Sequence, residues 1–247
     1  MCFAKTGNGN YNWRLPNFRK KGSEVSEKNC IPVIAIDGPS SSGKGTVAAA
    51  LAQRLGFHYL DSGALYRLTA LSVIKAGVDP DDEVSCQAVA RAMKPVFKDG
   101  RIYLGQEDVT QAIRAEAVGL CASRVAALPA VRRALTDLQR DARQAPGLVA
   151  DGRDMASVIF PDAVLKVFLT ASPEARAKRR FNQLIAKGIS ANLSDLTRDL
   201  AERDRRDRER KAAPCVPAQG ARVLDNSEMD AEQTLELIHR WYREQCA

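Results

Sequence analysis

The chain has 247 residues, enough for one domain with an insertion or for two small ones. Its apolar share of 45% and charged share of 27% are those of a globular protein, and no apolar run approaches the length of a membrane span. A net charge of +7 leaves open nucleic acid, an acidic membrane surface or a small polyanionic ligand. The six cysteines (Cys2, Cys30, Cys86, Cys121, Cys215 and Cys246) are scattered singles with no Cys-x-x-Cys pair, which argues against a metal site and for a reducing, cytoplasmic compartment.

Residues 1–30 are polar, rich in Asn, Gly and Lys, and read as a disordered leader; no apolar stretch follows their basic residues, so they do not read as a secretory signal. The apolar, β-branched run 32–36 predicts a strand buried on both faces of a parallel sheet, stopped by Asp37-Gly38-Pro39. Small and apolar residues over 46–55, closed by Gly56, predict a helix with a glycine terminator. Asp61-Ser62-Gly63 reads as a loop leading into a helix that carries Tyr66 and Arg67. The runs 95–98 and 101–104 around Asp99-Gly100 predict a hairpin, to which 107–109 adds a third strand. Further strands are expected at 147–150, 164–169 and 222–224, and a last helix over about 230–245. The alternation defines an α/β fold, a parallel sheet flanked by helices with right-handed crossovers, into which a small antiparallel β subdomain is inserted at about 80–112.

Gly38-Pro39-Ser40-Ser41-Ser42-Gly43-Lys44-Gly45-Thr46 joins the first strand to the first helix. Glycines at both ends let the backbone curl its N–H groups onto phosphate oxygens, and the helix adds its positive end. Lys44 can reach the β- and γ-phosphates, and the Thr46 hydroxyl faces the metal side, directly or through water. Gly45 stands where a strict Walker A loop has Ser or Thr, and the Gly-Lys-Gly-Thr ending is similar to that of nucleoside monophosphate kinases.

A kinase needs a second anion site, and an ionised acceptor phosphate needs positioning and charge neutralisation rather than a strong base. Two sequences suit such a site: 61–67, with Tyr66 and Arg67, and Ala150-Asp151-Gly152-Arg153-Asp154, where a strand ends and ligands collect. From Arg198 to Lys211 nearly every residue is charged. Asp199–Arg203 and Asp204–Arg208 read as helix-supporting pairs, and Arg203, Arg206, Asp207 and Arg210 share one helical face that can close over substrates. Arg205, Arg208 and Glu209 read as solvated. Arg179 and Arg180 are placed at the ATP side, and 213–218 beside the adenine. These residues leave open a kinase for another small acceptor, such as dephospho-CoA or shikimate, and a nucleic-acid-dependent ATPase. Against the latter, aromatic residues do not interleave with the basic ones.

Four motifs in register resemble bacterial cytidylate kinases: 38–46, Asp61-Ser62-Gly63-Ala64-Leu65-Tyr66-Arg67, Asp151-Gly152-Arg153-Asp154-Met155, and the Glu-Arg-Asp-x-Arg-Asp-x-x-Arg run over 202–210. The likeness spans about 31–247. It implies a P-loop NTPase-type core, with the insertion at 80–112 as monophosphate-binding subdomain and 182–211 as a helical lid. It implies ATP with Mg²⁺ as donor, CMP or dCMP as acceptor, UMP as a poorer one, and a monomer without nucleic-acid or membrane partners. In that resemblance Arg67 and Arg153 clamp the acceptor phosphate, with Arg210 closing from the lid. Ser123, Arg132 and Asp154 read the cytosine edge, Arg203 and Asp207 contact the ribose, and Ser62 lines the pocket. Lys44, Arg153 and Arg210 then carry catalysis. Without the resemblance, Ser123 is a helix-face serine and Arg132 an exposed arginine after Pro129.

Overall fold

The computed structural model describes residues 31–98, 100–186 and 188–246; the leader expected at 1–30 lies outside the described residues. The chain divides into two compact units, one of residues 64–135 and one of residues 31–63 with 136–246.

The larger unit is built on five strands. β1 (Val33–Asp37) is buried at every position, as a run with no polar face requires. With it pair β2 (His58–Asp61), β6 (Leu148–Gly152), β7 (Leu165–Thr170) and β8 (Arg222–Asp225), in the order β2-β6-β1-β7-β8, all parallel. Among the described residues four α-helices belong wholly to this unit: α1 (Lys44–Leu55), α6 (Pro173–Ile185), α7 (Leu193–Glu209) and α8 (Ala231–Cys246). Ile34, Ile36, Val149, Val167 and Leu169 of the sheet meet Val47 and Leu51 of α1 and Leu235 and Ile238 of α8 in one core. Each such side chain contributes about 1.5–3 kcal/mol relative to exposure. α1 ends where Gly56 turns left-handed (φ 67°), its N–H reaching Ala52 and Gln53 carbonyls.

From β1 the chain runs to β2 at the sheet edge, returns to fill the gap as β6, then crosses β1 to β7. The carboxyl ends of β1 and β6 therefore open side by side, with Asp37 paired to Gly152. That is the position at which open α/β sheets receive ligands.

No loop separates the elements at Asp61-Ser62-Gly63, where the sequence reads as one: Asp61 ends strand β2, and Ser62 and Gly63 already open α2 (Ser62–Lys75). His58 and Leu60 are buried while Tyr59 is half-buried and Asp61 exposed, the pattern of a half-covered edge strand that a polar Asp-Ser-Gly sequence conceals. Asp151 and Gly152 likewise lie inside β6, not beyond its end.

The smaller unit holds most of α2, α3 (Glu83–Ala92), α4 (Glu116–Val125), most of α5 (Pro129–Arg140), and an antiparallel sheet of β3 (Pro95–Lys98), β4 (Arg101–Leu104) and β5 (Glu107–Asp108). The antiparallel patch expected from the sequence is present, but the segment opens with helix α3, whose N-cap Asp82 accepts from the Val84 and Ser85 N–H groups. Leu65, Leu68, Val73, Val109, Ile113, Val125 and Val131 fill the core of this unit. No described helix is long and apolar enough to cross a membrane.

Candidate active site

The loop 38–43 is shaped by three left-handed residues, Gly38 (φ 154°), Ser41 (φ 60°) and Gly43 (φ 88°). At Gly38 any side chain is excluded twice over, since a Cβ would also stand 2.0 Å from the Leu169 carbonyl oxygen. Side chains take up the loop carbonyls. Lys44 Nζ donates to Pro39 O (2.9 Å), Arg176 Nη1 to Ser40 O (3.2 Å), and both Asn226 Nδ2 (3.1 Å) and Arg179 Nη1 (3.3 Å) to Ser42 O. In a planar trans peptide the C=O of one residue opposes the N–H of the next. Fixing the Ser40 and Ser42 carbonyls on Arg176, Asn226 and Arg179 therefore turns the N–H groups of Ser41 and Gly43 the other way, where the N-terminus of α1 adds its positive end.

Arg153 follows β6 and reaches back to this loop: Nη2 donates to Ser40 Oγ and Nε to Asp207 Oδ2 on α7, both at 2.9 Å. One turn earlier on α7, Asp204 pairs with Arg176 Nη1 at 2.5 Å, both side chains 7% exposed. Two carboxylates three residues apart thus tie α7 to two arginines that both contact Ser40. Beyond α7, Arg210 Nε donates to Ala213 O (2.6 Å), and Arg210 Nη2 lies 3.9 Å from Asp154 Oδ1, both side chains nearly buried. Ser62 opens α2 fully buried, its Oγ 2.5 Å from where a Cβ on Gly152 would stand.

Burial dominates the electrostatics. It pulls the Lys44 ammonium down to about 8, helped by Arg153 and opposed by Asp151. It pushes the Asp151 carboxyl up to about 7, with Asp61 adding to the shift, while Lys44 and the hydrogen bond donated by Tyr59 (2.8 Å) act against it. Asp37 is raised to about 6 for the same reason, although the N–H groups of Ala156 and Met155 oppose the rise. For Asp207 burial loses to the charges of Arg153, Arg203 and Arg210, which hold it below the ordinary carboxylate range.

In the smaller unit Arg67 Nη1 donates to Ile113 O (2.8 Å). Arg132 stacks 5.5 Å over the Tyr66 ring and donates to Ala126 O (3.1 Å). Arg132 and Ser123 are each 8% exposed, so Arg132 is not the exposed arginine that sequence alone suggests, and Ser123 stands on the buried side of its helix. The Ser123 hydroxyl is buried without a hydrogen-bond partner.

In the larger unit the structure gathers Lys44, Ser62, Arg153, Asp154, Asp207 and Arg210 around the carboxyl edge of β1 and β6, with Thr46 exposed on the first turn of α1. Two readings of the charged run are corrected. Arg210 caps α7 with extended backbone and leaves the helical face that carries Arg203, Arg206 and Asp207. Asp204 is a buried partner of Arg176 rather than a surface partner of Arg208, which is exposed. Sequence reasoning missed Asp37, Arg176 and Asn226, and Arg179 proves to brace the loop from behind through Ser42 and Asn226. The inward place of Asp204 did leave a signal: it sits four residues beyond buried Leu200, on the same helical face.

A parallel sheet with a glycine-framed phosphate loop at its centre, a buried lysine in that loop and arginines facing it define a P-loop nucleotide kinase. A sequence model of cytidylate kinases matches residues 34–244, and the chain belongs to the cytidylate kinase family. It is 57% identical over 219 residues to the cytidylate kinase of Polynucleobacter asymbioticus, covering 89% of this chain and all of that protein. The cytidylate kinase of Cupriavidus necator is 57% identical over 212 residues, covering 86% and 96% respectively. That of Chromobacterium violaceum is 54% identical over 217 residues, covering 88% and 98%.

Proposed function

We propose that this protein transfers the γ-phosphoryl group of ATP to CMP or dCMP, giving ADP and CDP or dCDP. The observation that carries this reading is Arg153, a partly buried guanidinium hydrogen-bonded to Ser40 of the phosphate loop and followed directly by buried Asp154. A cation for the acceptor phosphate and a carboxylate for an exocyclic amino group thereby adjoin the donor loop.

In the proposed reaction 38–46 holds the ATP phosphates, with loop amides and Lys44 on the β- and γ-oxygens. An oxygen of the acceptor phosphate forms a bond to the γ-phosphorus as the bond to the β–γ bridging oxygen breaks and ADP departs. Arg153 gives up Ser40 and Asp207 to take the acceptor phosphate, joined by Arg67 and by Arg210 from beyond α7, which acts with 182–211 as a lid. Asp154 accepts from the cytosine amino group. Ser123, whose buried hydroxyl lacks a partner, and Arg132, set over the Tyr66 ring, donate to cytosine acceptors. Arg203 and Asp207 meet the ribose, and Ser62 lines the pocket. The hard oxygen donors near the loop fit Mg²⁺: Thr46 offers an exposed hydroxyl, and Asp151 Oδ2 lies 3.9 Å from the Cβ position of Gly45. They would hold it directly or through water, and when bound it neutralises phosphate charge.

The reading includes a monomer, and a cytoplasmic location with which the free, buried thiols of Cys86, Cys121 and Cys215 agree. A coupled ADP-release assay over CMP, dCMP, UMP, AMP and shikimate tests the activity. Fast turnover with CMP and dCMP and slower turnover with UMP are expected. No turnover of any pyrimidine monophosphate would overturn the reading.

A further inference from the structure

Asp37 is a buried acid to which the proposed reaction gives no task. Its side chain is 3% exposed, and its two oxygens accept separate hydrogen bonds, Oδ1 from the Met155 N–H and Oδ2 from the Ala156 N–H, each 2.8 Å. Met155 and Ala156 begin a single π-helical turn, Met155–Ile159, so their N–H groups have no acceptor within it. Asp37 supplies both acceptors from another strand.

The backbone of Asp37 also pairs with Gly152, the last residue of β6. Gly152 is fixed in turn by the close approach of Ser62 Oγ and Met155. The chain is therefore pinned at Gly152 by the sheet and at Met155–Ala156 by the Asp37 carboxylate, and only Arg153 and Asp154 lie between the pins. Asp154 has the non-helical backbone this bridging requires (φ −150°, ψ 21°).

We infer that Asp37 is a positioning residue for the acceptor, setting Arg153 and Asp154 through the backbone N–H groups that follow them. It acts on the acceptor side although it immediately precedes the ATP loop in sequence. The inference rests on the proposed roles of Arg153 and Asp154. With both oxygens engaged by main-chain donors, Asp37 serves as an anchor and not as a proton acceptor.

Asp37→Asn keeps the shape but presents an NH₂ group to one of the two N–H donors, so the segment must shift. Steady-state kinetics with each substrate varied should show the KM for CMP raised about tenfold or more, as small misplacements of positioning groups produce. The KM for ATP should stay within about twofold of the unsubstituted protein. Thermal melts should show the shift induced by CMP reduced and that induced by ATP retained. Equal rises in both KM values, or an unchanged KM for CMP, would overturn the inference. If D37N does not fold, D37S, which retains one acceptor, takes its place; failure of both to fold would assign Asp37 to the core alone and also overturn it. Absence of CMP turnover by the unsubstituted protein would strike the functional reading first, and is separately visible.

Discussion

In the proposed reaction Arg153 is a side chain committed elsewhere in the resting protein and still the group the acceptor phosphate needs. Its partners, Ser40 Oγ and Asp207 Oδ2, are a hydroxyl and a carboxylate, and a phosphate offers the same guanidinium more charge. Arg153→Ala should lower kcat/KM for CMP by roughly 10²–10³, the scale for losing one preorganised donor. A fall of less than about threefold in a CMP-varied assay at saturating ATP would remove Arg153 from the site. Gly38 makes the opposite point, that a residue can matter by having no side chain. Gly38→Ala must relieve both a Cβ 2.0 Å from Leu169 O and a left-handed φ. A cost of about 2 kcal/mol or more is expected, which in a chain of this size lowers Tm by about 4 °C or more. Differential scanning calorimetry would measure it.

Among the elements, α7 has a composition that says little about its task. Its charges alternate, yet the inward face carries Leu200, Asp204 and Asp207, each buried. Asp204→Ala leaves Arg176 buried without its counter-charge, at an expected cost of about 3–5 kcal/mol. Arg208→Ala, on the solvent face, should stay within about 0.5 kcal/mol. Denaturant titrations of the two variants check the contrast; similar midpoints would mean that Asp204 does not anchor the helix. The legibility of the elements follows the same division. β1 and the hairpin β3–β4 were readable because their signals are local: an unbroken apolar run in one case, Asp-Gly between short apolar runs in the other. β2 was not, because its edge position lets polar residues stand in a strand. Of the site, the phosphate loop and the segment around Arg153 announce themselves in consecutive residues. Asp37, Arg176 and Asn226 act across 28 to 184 residues of sequence, and nothing in their neighbours marks them.

On the scale of the whole molecule, the site strains the fold that carries it. Burial raises Asp37 from 3.8 to about 6, so the folded protein holds this proton more tightly than the unfolded chain. The stability it contributes is present at low pH and is lost as pH rises through about 6. Carboxylates with lowered values, such as Asp207, Asp81 and Asp225, act in the opposite sense but only below their ordinary range, near pH 4 and under. Between pH 5 and pH 7 the stability difference, unsubstituted protein minus Asp37→Asn, should therefore shrink. Urea unfolding at both values measures it, and a difference that is constant or grows with pH would contradict the burial of Asp37.

The brace on Ser42 has a consequence for how the protein is made. Asn226 contributes Nδ2 to the Ser42 carbonyl and, with Met229, receives Arg179, yet it stands about 180 residues after the loop it steadies. A nascent chain can complete the sheet around β1 only once β6 and β7 have been made, and the loop 38–43 still lacks this support until Asn226 has cleared the ribosome. In the proposed reading, competence to grip ATP is thus among the last properties the growing polypeptide acquires, and it arrives together with Leu235 and Ile238, the α8 share of the core around β1.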